Sequence, residues 1–361
     1  MLLLCTVACG AAADSPLPPP TPVDETTAIV ALARSELQLT LSWAQSFLDS
    51  PEELRRQVDG YSRLYGLKIG VSFKAAPSMH DATTRALQEY QGGMRASTDV
   101  VIGTEAEIIE LAKVGALVSE PWLDWAANIK SPRQIGAGGV AVQVQTRQLG
   151  ITFNSAKLTG ASIPRSLADL LKPQYKGRIA TTASADLFER LGLADVWGAD
   201  ATIAYVRQLA GQVSGFINCG DEDRVAAGEF DVFVYDCGSA RTMQMKAKGT
   251  LIGWTAPTDG AMLGYLYMGI PKNAVHPNAA RLWINYMLSR DAQDVMYDFE
   301  FADYHRIAGS RTFAEVDRAT KTGVKFFELT VEVVQADAAK GVKPIGPVLQ
   351  SILRDAVASR K

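Results

Sequence analysis

From residue 37 onward, short apolar runs alternate with longer segments in which apolar residues recur every three or four positions. The short runs at residues 37–43, 67–73 and 98–104 have the length and composition of strands. Each run is followed by a segment with helical periodicity. Strands that alternate with helices across such short turns are typical of a parallel, doubly wound sheet.

The helical segments begin at capping sequences. Ser50 precedes Pro51 and is followed three positions later by Glu53, so the serine oxygen can accept from free amides while proline occupies the first helical position. A hydroxyl residue with an acid three positions later recurs at Ser78 and at Thr104. The sequence therefore predicts that these helices start at the ends of strands.

A second alternating unit follows a looser stretch after residue 117. Residues 139–154 predict two strand segments around Arg147 and Gln148, and residues 230–236 predict a further strand. Two α/β units joined by two crossing segments, near residues 145–152 and 260–270, predict two doubly wound lobes joined by two hinge segments. We expect the following division of the chain: a tether at 1–26, the first part of lobe 1 at 27–147, lobe 2 at 148–265, and the return to lobe 1 with the C-terminal helices at 266–361.

Residues 270–296 carry the most regular pattern. His276 and Pro277 predict the start of a helix. Its predicted buried stripe consists of Ala280, Trp283, Ile284, Met287 and Leu288. Ser289 followed by Asp291 predicts a new helix start. This segment is expected to be structural.

The composition fits a soluble two-domain protein. The 361 residues are 47% hydrophobic and 21% charged, with a formal net charge of −3, so the chain has no basic footprint for nucleic acid. Residues 1–9 are apolar but too short to span a bilayer, and a proline-rich tether follows them. This start predicts part of an export signal with lipidation at Cys9, because the preceding residues resemble a lipobox in which Thr6 replaces leucine; the alternative is a mis-assigned start followed by a disordered tail.

Two cysteines lie in the body of the chain. Cys219 and Cys237 lack the spacing of zinc ligands. In an exported chain they predict a disulfide, and the alternative is a pair of buried thiols.

Signatures of catalysis are absent from the sequence. It contains no nucleophile elbow, no phosphate-binding loop and no dinucleotide fingerprint. The histidines, His80, His276 and His305, are not spaced as metal ligands, and no metal or cofactor is expected. Cys237 follows a strand and is the one candidate nucleophile, but no base accompanies it.

Polar residues recur at the ends of strands in both predicted lobes. In doubly wound sheets these positions border a crevice where helix amides favour polar or anionic ligands. The candidate ligand-binding residues are Ser42, Trp43, Ser78, Gly103, Thr104, Thr181, Thr182, Ser184, Asn218, Tyr235, Asp236 and Asp259. Each of them could also be a simple helix cap. Their recurrence in both lobes predicts a ligand held between the lobes.

Three segments carry a family resemblance: residues 154–180, 226–236 and 271–296. They resemble bacterial extracellular solute-binding proteins of the type II periplasmic fold, in the group that contains ferric-iron, thiamine and aminoethylphosphonate binders. The likeness extends over residues 37–345. It implies an extracytoplasmic substrate-binding protein of an ABC transporter that is not an enzyme. Such a protein closes by hinge motion on a small polar solute and delivers it to the transmembrane permease subunits. We expect a monomer in the periplasm or on the outer face of the cell membrane, touching the membrane only through a lipid anchor.

One departure from the group concerns ferric iron. Ferric binders carry adjacent tyrosines just after the strand that corresponds to residues 230–236, because phenolates are hard ligands for a hard cation. Here Tyr235 stands alone. Trp43 could stack on a flat or cationic ligand, and Asp236 and Asp259 could serve an amine, whereas helix N-termini favour a carboxylate or phosphonate. The sequence leaves the polarity of the ligand open.

Two alternative functions remain at this point. The first is a ligand-sensing subunit that presents its bound form to a membrane receptor. The second is an α/β enzyme that uses Cys237.

Overall fold

The computed structural model describes residues 24–44, 47–48, 50–341 and 343–359. The α-helices are α1 (Glu25–Glu36), α2 (Pro51–Tyr65), α3 (Met79–Gln91), α4 (Glu105–Lys113), α5 (Trp122–Trp125), α6 (Asp186–Leu191), α7 (Ala199–Ala210), α8 (Asp223–Ala226), α9 (Ser239–Ala247), α10 (Pro277–Met287), α11 (Arg290–Glu300), α12 (Arg311–Lys321), α13 (Val331–Ala339) and α14 (Gly346–Ala358). The strands are β1 (Gln38–Ala44), β2 (Gly70–Ala76), β3 (Val101–Gly103), β4 (Ile135–Gly136), β5 (Ala141–Leu149), β6 (Ile151–Asn154), β7 (Ile179–Thr181), β8 (Val213–Phe216), β9 (Val232–Val234), β10 (Ile252–Thr255), β11 (Ala261–Gly269) and β12 (Phe326–Glu328). Short 3₁₀ turns include Ala168–Leu171.

The predicted helix starts are confirmed. The hydroxyl of Ser50 accepts from the Glu53 amide at 3.4 Å, and that of Ser78 accepts from the Asp81 amide at 3.0 Å. At the start of α4, the Thr104 amide donates to the Glu107 carboxylate at 2.8 Å. These caps satisfy amides that have no partner inside the helix.

The strands form two mixed α/β units. In lobe 1, β1 and β2 are parallel, and a second sheet has the order β12-β11-β5-β4 with β3 beside β11. In lobe 2 the order is β10-β6-β9-β7-β8, where β7 is parallel to β8 and β9. The strands β6 and β10 run antiparallel to their neighbours, so the sheet is not wholly parallel. The predicted two-lobe α/β class is confirmed.

Two nine-residue strands connect the lobes. β5 and β11 pair antiparallel from Ala141 opposite Gly269 to Leu149 opposite Met262. The sequence predicted a break near Arg147 and Gln148, but β5 continues through both residues. The break falls at Gly150, where an added Cβ would lie 2.6 Å from the Thr255 carbonyl oxygen. Only glycine fits this close approach of backbone, which lets the chain turn into β6 of lobe 2.

Each lobe has its own apolar core. In lobe 1, α10 starts at Pro277, and all five residues of its predicted stripe are buried. Trp283 is fully buried there, with the rings of Tyr61 and Tyr286 at 5.5 and 5.9 Å. Ser289 caps α11 by accepting from the Ala292 amide at 3.2 Å. The helix predicted to start at His276 and Pro277 is therefore confirmed as structural.

The last helix packs on lobe 2. Leu349 and Leu353 of α14 are fully buried in the lobe 2 core with Val206 and Leu209 of α7. The sequence had grouped the C-terminal helices with the return to lobe 1, so α14 differs from that grouping. The domain boundaries themselves stay a prediction. Within the described residues no helix combines the length and the apolarity needed to cross a bilayer.

Candidate functional site

The two lobes meet between α4 of lobe 1 and α6 of lobe 2, and we call this region the cleft. Glu105 at the start of α4 in lobe 1 accepts from Arg190 of α6 in lobe 2, with Nε to Oε1 at 3.0 Å. The two side chains are 9% and 16% exposed. The lobes are thus joined by a nearly buried ion pair.

A second contact between the lobes involves α9 and α11. The side-chain amide of Gln244 donates to the Phe299 carbonyl at 3.1 Å. Contacts from two different pairs of helices therefore hold the lobes close together.

The hinge strand β5 contains a bulge, because Val144 has no partner opposite it on β11. This bulge changes the alternation of side chains along the strand. Gln143 and Thr146 contact Tyr304 and His305 at 2.9 and 2.8 Å. Arg147 instead reaches the Cys237 carbonyl of lobe 2.

Arg147 is a desolvated cation at the hinge. Its Nε donates to the Cys237 carbonyl at 3.1 Å, and its Nη2 donates to the same oxygen. Although part of the side chain meets solvent, desolvation lowers the pKa of Arg147, against the opposing attraction of Glu105, Glu107 and Asp236. Among the described residues no carboxylate lies within ion-pair distance of its guanidinium.

Asp236 organises the lobe 2 side of the hinge. Its fully buried carboxylate accepts from the amides of Gly150 and Gly238 at 3.1 and 3.3 Å and from the Thr152 hydroxyl at 2.7 Å. Burial raises the pKa of Asp236 to about 6. The carboxylate of this predicted ligand residue therefore ties the start of α9 to the hinge at Gly150.

A disulfide borders the same segment. Cys219 and Cys237 are bonded, with their Cα atoms 5.5 Å apart, and they tie the loop before α8 to the segment between β9 and α9. A sulfur in a disulfide is not a free thiolate. The alternative in which Cys237 is a catalytic nucleophile loses its reactive group.

Trp43 is not in the cleft, which corrects the prediction that it stacks on a ligand. Its side chain is fully buried in the lobe 1 core between the rings of Phe47 and Phe73, at 5.8 and 5.6 Å. Its indole nitrogen donates to the Phe47 carbonyl at 2.8 Å. Ser42 next to it is also buried, and its amide donates to Thr98 at 3.0 Å.

Tyr235 and Asp259 were likewise predicted to bind ligand and have structural contacts instead. Tyr235 is buried in the lobe 2 core, where its hydroxyl donates to the Gly260 carbonyl. Asp259 accepts from the amides of Leu167 and Ala168 at 2.7 and 3.1 Å, at the start of a 3₁₀ turn. Both side chains have their hydrogen-bond partners within lobe 2.

Other predicted residues do flank the cleft. Thr104 immediately precedes Glu105, and Thr182 and Ser184 precede the helix that carries Arg190. The ion pair therefore brings these two loops face to face. Thr182 is half-buried and Ser184 is exposed.

Four other residues that were predicted to bind ligand take no part in the ion pair across the cleft. Gly103 ends β3 opposite Tyr267, and Ser78 caps α3. Thr181 is fully buried, with a hydroxyl that has no hydrogen-bond partner in the described part of the chain. The backbone amide of Asn218 donates to the Asp221 carboxylate at 3.0 Å, as part of a local turn. These contacts do not bring any of the four into the interlobe ion pair.

Sequence reasoning missed the charged residues of the cleft, which are Glu105, Arg147 and Arg190. One signal for Arg147 was present, since it is the single charged residue in the otherwise uncharged run 139–154. A charged side chain inside a largely buried strand is costly, so its presence indicates a specific partner or role. The pairing of Glu105 with Arg190 joins residues 85 positions apart and had no local signature.

The described residues contain no group of three or more His, Cys, Asp or Glu side chains placed to hold a metal. The cleft chemistry that they do offer is hydrogen bonding and charge.

Comparison with known families decides the classification. The family model for bacterial extracellular solute-binding proteins matches residues 125–319, more than half of the 361 residues. The chain belongs to this family. It is a solute-binding protein rather than an enzyme, and the resemblance predicted from sequence is confirmed.

Individual relatives agree with the family. The chain is similar to the Fe(3+)-binding periplasmic protein of Serratia marcescens, with 22% identity over 259 residues, covering 68% of this chain and 74% of the relative. Its fold matches the substrate binding protein of the ABC transporter from Agrobacterium tumefaciens with a TM-score of 0.70, at 15% identity, over 90% of this chain and 96% of that one. It also matches iron-bound HitA from Pseudomonas aeruginosa with a TM-score of 0.64, at 19% identity, over 89% and 99% of the two chains. The fold is that of the type II periplasmic binding proteins.

Proposed function

We propose that this protein is the substrate-binding subunit of an ABC importer and captures a small polar solute between its lobes. The observation that carries the proposal is the combination of two hinge strands with a nearly buried ion pair between Glu105 and Arg190 across the cleft. Opening the hinge would expose these groups to water and to a solute. Closing it would exclude water from them.

The pair of adjacent tyrosines that ferric binders carry just after the strand of residues 230–236 is absent from the sequence. Tyr235 donates to the Gly260 carbonyl inside the lobe 2 core, and residues 236–239 after it contain no tyrosine. The Serratia and Pseudomonas proteins are described as Fe(3+)-binding and iron-bound. This chain is similar in fold to iron-bound HitA, at 19% identity.

Its cellular setting follows from the same assignment. We place the protein in the periplasm or on the outer face of the cell membrane, as a monomer that docks on the permease.

Cys9, the proposed lipid attachment point, lies outside the described residues. The proposed lobe boundaries lie at the hinge, near residues 147–148 and 265–266.

Small-angle scattering combined with a thermal-shift screen tests the function. A solute that binds only the folded protein raises its stability by RT ln(1 + [L]/Kd). We expect at least one compound from a panel of anions, amines, amino acids, sugars and vitamins to raise the melting temperature and to reduce the radius of gyration. Binding without any compaction would argue against capture by hinge closure.

A further inference from the structure

The C-terminal part of the chain crosses the hinge once more after the two long strands. It leaves α12, where Val316 packs against the lobe 1 core, and forms β12, which pairs in parallel with the start of β11 as Phe326 lies opposite Ala261. Thr330 then caps α13 by accepting from the Val333 amide at 3.3 Å. The chain ends in α14, on the lobe 2 core. We call β12, α13 and α14 the C-terminal strap.

One face of α13 packs on lobe 1. Val331 is fully buried in the lobe 1 core, and Val334, three positions later on the same face, packs against that core. The Glu332 carboxylate accepts from the Ala137 amide of lobe 1 at 3.0 Å. On this side α13 also lies beside α4, the helix that begins with Glu105. These contacts fix the first turn of α13 on lobe 1.

The adjoining face of α13 meets lobe 2. Val333 packs against the lobe 2 core, and Asp337, four positions later, accepts from the Ala194 amide at 2.9 Å. Ala194 lies just after α6, the helix that carries Arg190. The Asp337 side chain is 7% exposed and also pairs with Lys340 of the strap at 3.6 Å. Because the carboxylate is largely buried, water and salt screen its bond to lobe 2 only weakly.

Helix α13 therefore spans the same junction as the ion pair between Glu105 and Arg190. Opening the hinge would move α4 away from α6, and α13 could not keep its contacts with both lobes. Separation from lobe 1 would expose the fully buried Val331 to water, which is unfavourable for an apolar side chain. Separation from lobe 2 would release the Asp337 carboxylate, which water can solvate. The contact with lobe 2 is the one that opening would break.

We propose that α13 is a latch between the lobes: the bond from Ala194 to Asp337 stabilises the closed form and sets the balance between open and closed molecules. This inference rests on the hinge closure of the proposed function and adds a control point on the C-terminal strap. In the open form α13 stays on lobe 1 and its bond to lobe 2 is lost. A latch that favours closure leaves less closing free energy for the solute to supply, so it raises the affinity for the solute.

Hydrogen exchange and small-angle scattering on the full chain without solute test the latch. Asp337→Ala removes the acceptor, so the Ala194 amide should exchange about tenfold to a hundredfold faster, the usual effect of losing a hydrogen bond to a charged group. The radius of gyration should increase, while the amides of α13 stay protected on lobe 1. Asp337→Asn retains a neutral acceptor and should show a smaller change in both measurements.

A matched control removes a carboxylate from a neighbouring helix. Asp317 of α12 pairs with Lys321 of the same helix at 2.7 Å, as Asp337 pairs with Lys340 within the strap. Asp317→Ala should therefore change neither the exchange of Ala194 nor the radius of gyration. Circular dichroism melts verify that each variant is folded.

Three results would overturn the latch. The first is parent-like exchange of the Ala194 amide in Asp337→Ala. The second is faster exchange at Ala194 with an unchanged radius, because the contact would then be local and without effect on the lobes. The third is loss of protection throughout α13, which would assign Asp337 to the stability of the helix.

The latch and the proposed function can fail separately, since the variants are measured without solute. If Asp337→Ala opens the protein as expected and no compound of the solute panel compacts it, the latch holds and solute capture fails. If a compound compacts the parent and Asp337→Ala has the parent's radius, capture holds and the latch fails.

Discussion

At the residue scale, position at a strand end did not determine which way a side chain points. Trp43 was expected at the cleft because it lies near the end of β1. It is buried because it shares the alternating face of Leu39 and Leu41, which are both fully buried in the lobe 1 core. The two-residue period of the strand would have predicted that Trp43 is buried. Capping hydroxyls were predicted correctly because a cap depends on residues within one helical turn.

Trp43→Ala should therefore act on stability. Removing a fully buried tryptophan typically costs about 3 to 5 kcal/mol, and the loss of the indole donor to Phe47 adds to this. Urea denaturation without ligand should show a lower midpoint for Trp43→Ala and for Trp283→Ala. Leu37→Ala, at a side chain that is 62% exposed, is the control and should change little. A parent-like midpoint for Trp43→Ala would place the side chain elsewhere.

Glu222 predicts a pH dependence of stability. It is 1% exposed, and burial raises the pKa of its carboxyl to about 7 from the ordinary 4.5. The folded state therefore binds more protons than the unfolded state between these values, so this group makes stability fall as pH rises from about 4.5 to about 7. Glu222→Gln should remove a decline on the order of 3 kcal/mol across that interval. Denaturation profiles at several pH values measure it, and equal slopes for variant and parent would count against a buried, protonated Glu222.

At the element scale, local signals predicted helices better than they predicted strand irregularities. The start of α10 at Pro277 and the new start of α11 after Ser289 follow from residues next to them in sequence. The break at Gly150 and the bulge at Val144 depend on Thr255 and on the partner strand β11. Those contacts are distant in sequence, so no local pattern could place them.

The disulfide is the element-scale feature most easily tested. Cys219 and Cys237 close a loop with a sequence separation of 18, for which the chain-entropy model gives about 3 kcal/mol of stabilisation. The double variant with serine at both positions should melt at a lower temperature than the oxidised parent, and reductant should lower the melting temperature of the parent alone. Peptide mapping without reductant should recover the two cysteines in one linked pair. Recovery of both as free thiols from exported protein would exclude the bond.

At the scale of the whole molecule, the order of elements was readable from sequence and the cleft chemistry was not. Alternating strands and helices, two crossing segments and the resemblance of three separate segments led to the two-lobe fold. The groups that meet across the cleft come from helices far apart in the chain, α4 and α6, and Glu105 follows a residue that looks like an ordinary cap. Only the folded structure shows that Glu105 forms an ion pair with Arg190.

The ion pair between Glu105 and Arg190 should favour the closed arrangement of the lobes. Both side chains are largely buried, so removing one partner leaves the other charge without compensation in the closed form, whereas water can solvate it in the open form. Arg190→Gln and Glu105→Gln should each shift the population toward open molecules, which increases the radius of gyration without ligand. Each should also weaken the affinity for any solute that requires closure, by roughly 1 to 2 kcal/mol or about tenfold, because binding must then supply more of the closing free energy.

The exchanged pair Glu105→Arg with Arg190→Glu separates this effect from a simple change of charge. It restores opposite charges across the cleft and should recover part of the compaction that each single variant loses, as a double-mutant cycle can quantify. Arg55→Gln, which disrupts an ion pair with Glu52 on the exposed surface of α2, should leave the radius unchanged. If all the cleft variants scatter like the parent and bind solute with the same affinity, the ion pair does not contribute to closure, and the lobes must be held by other contacts such as that between Gln244 and Phe299.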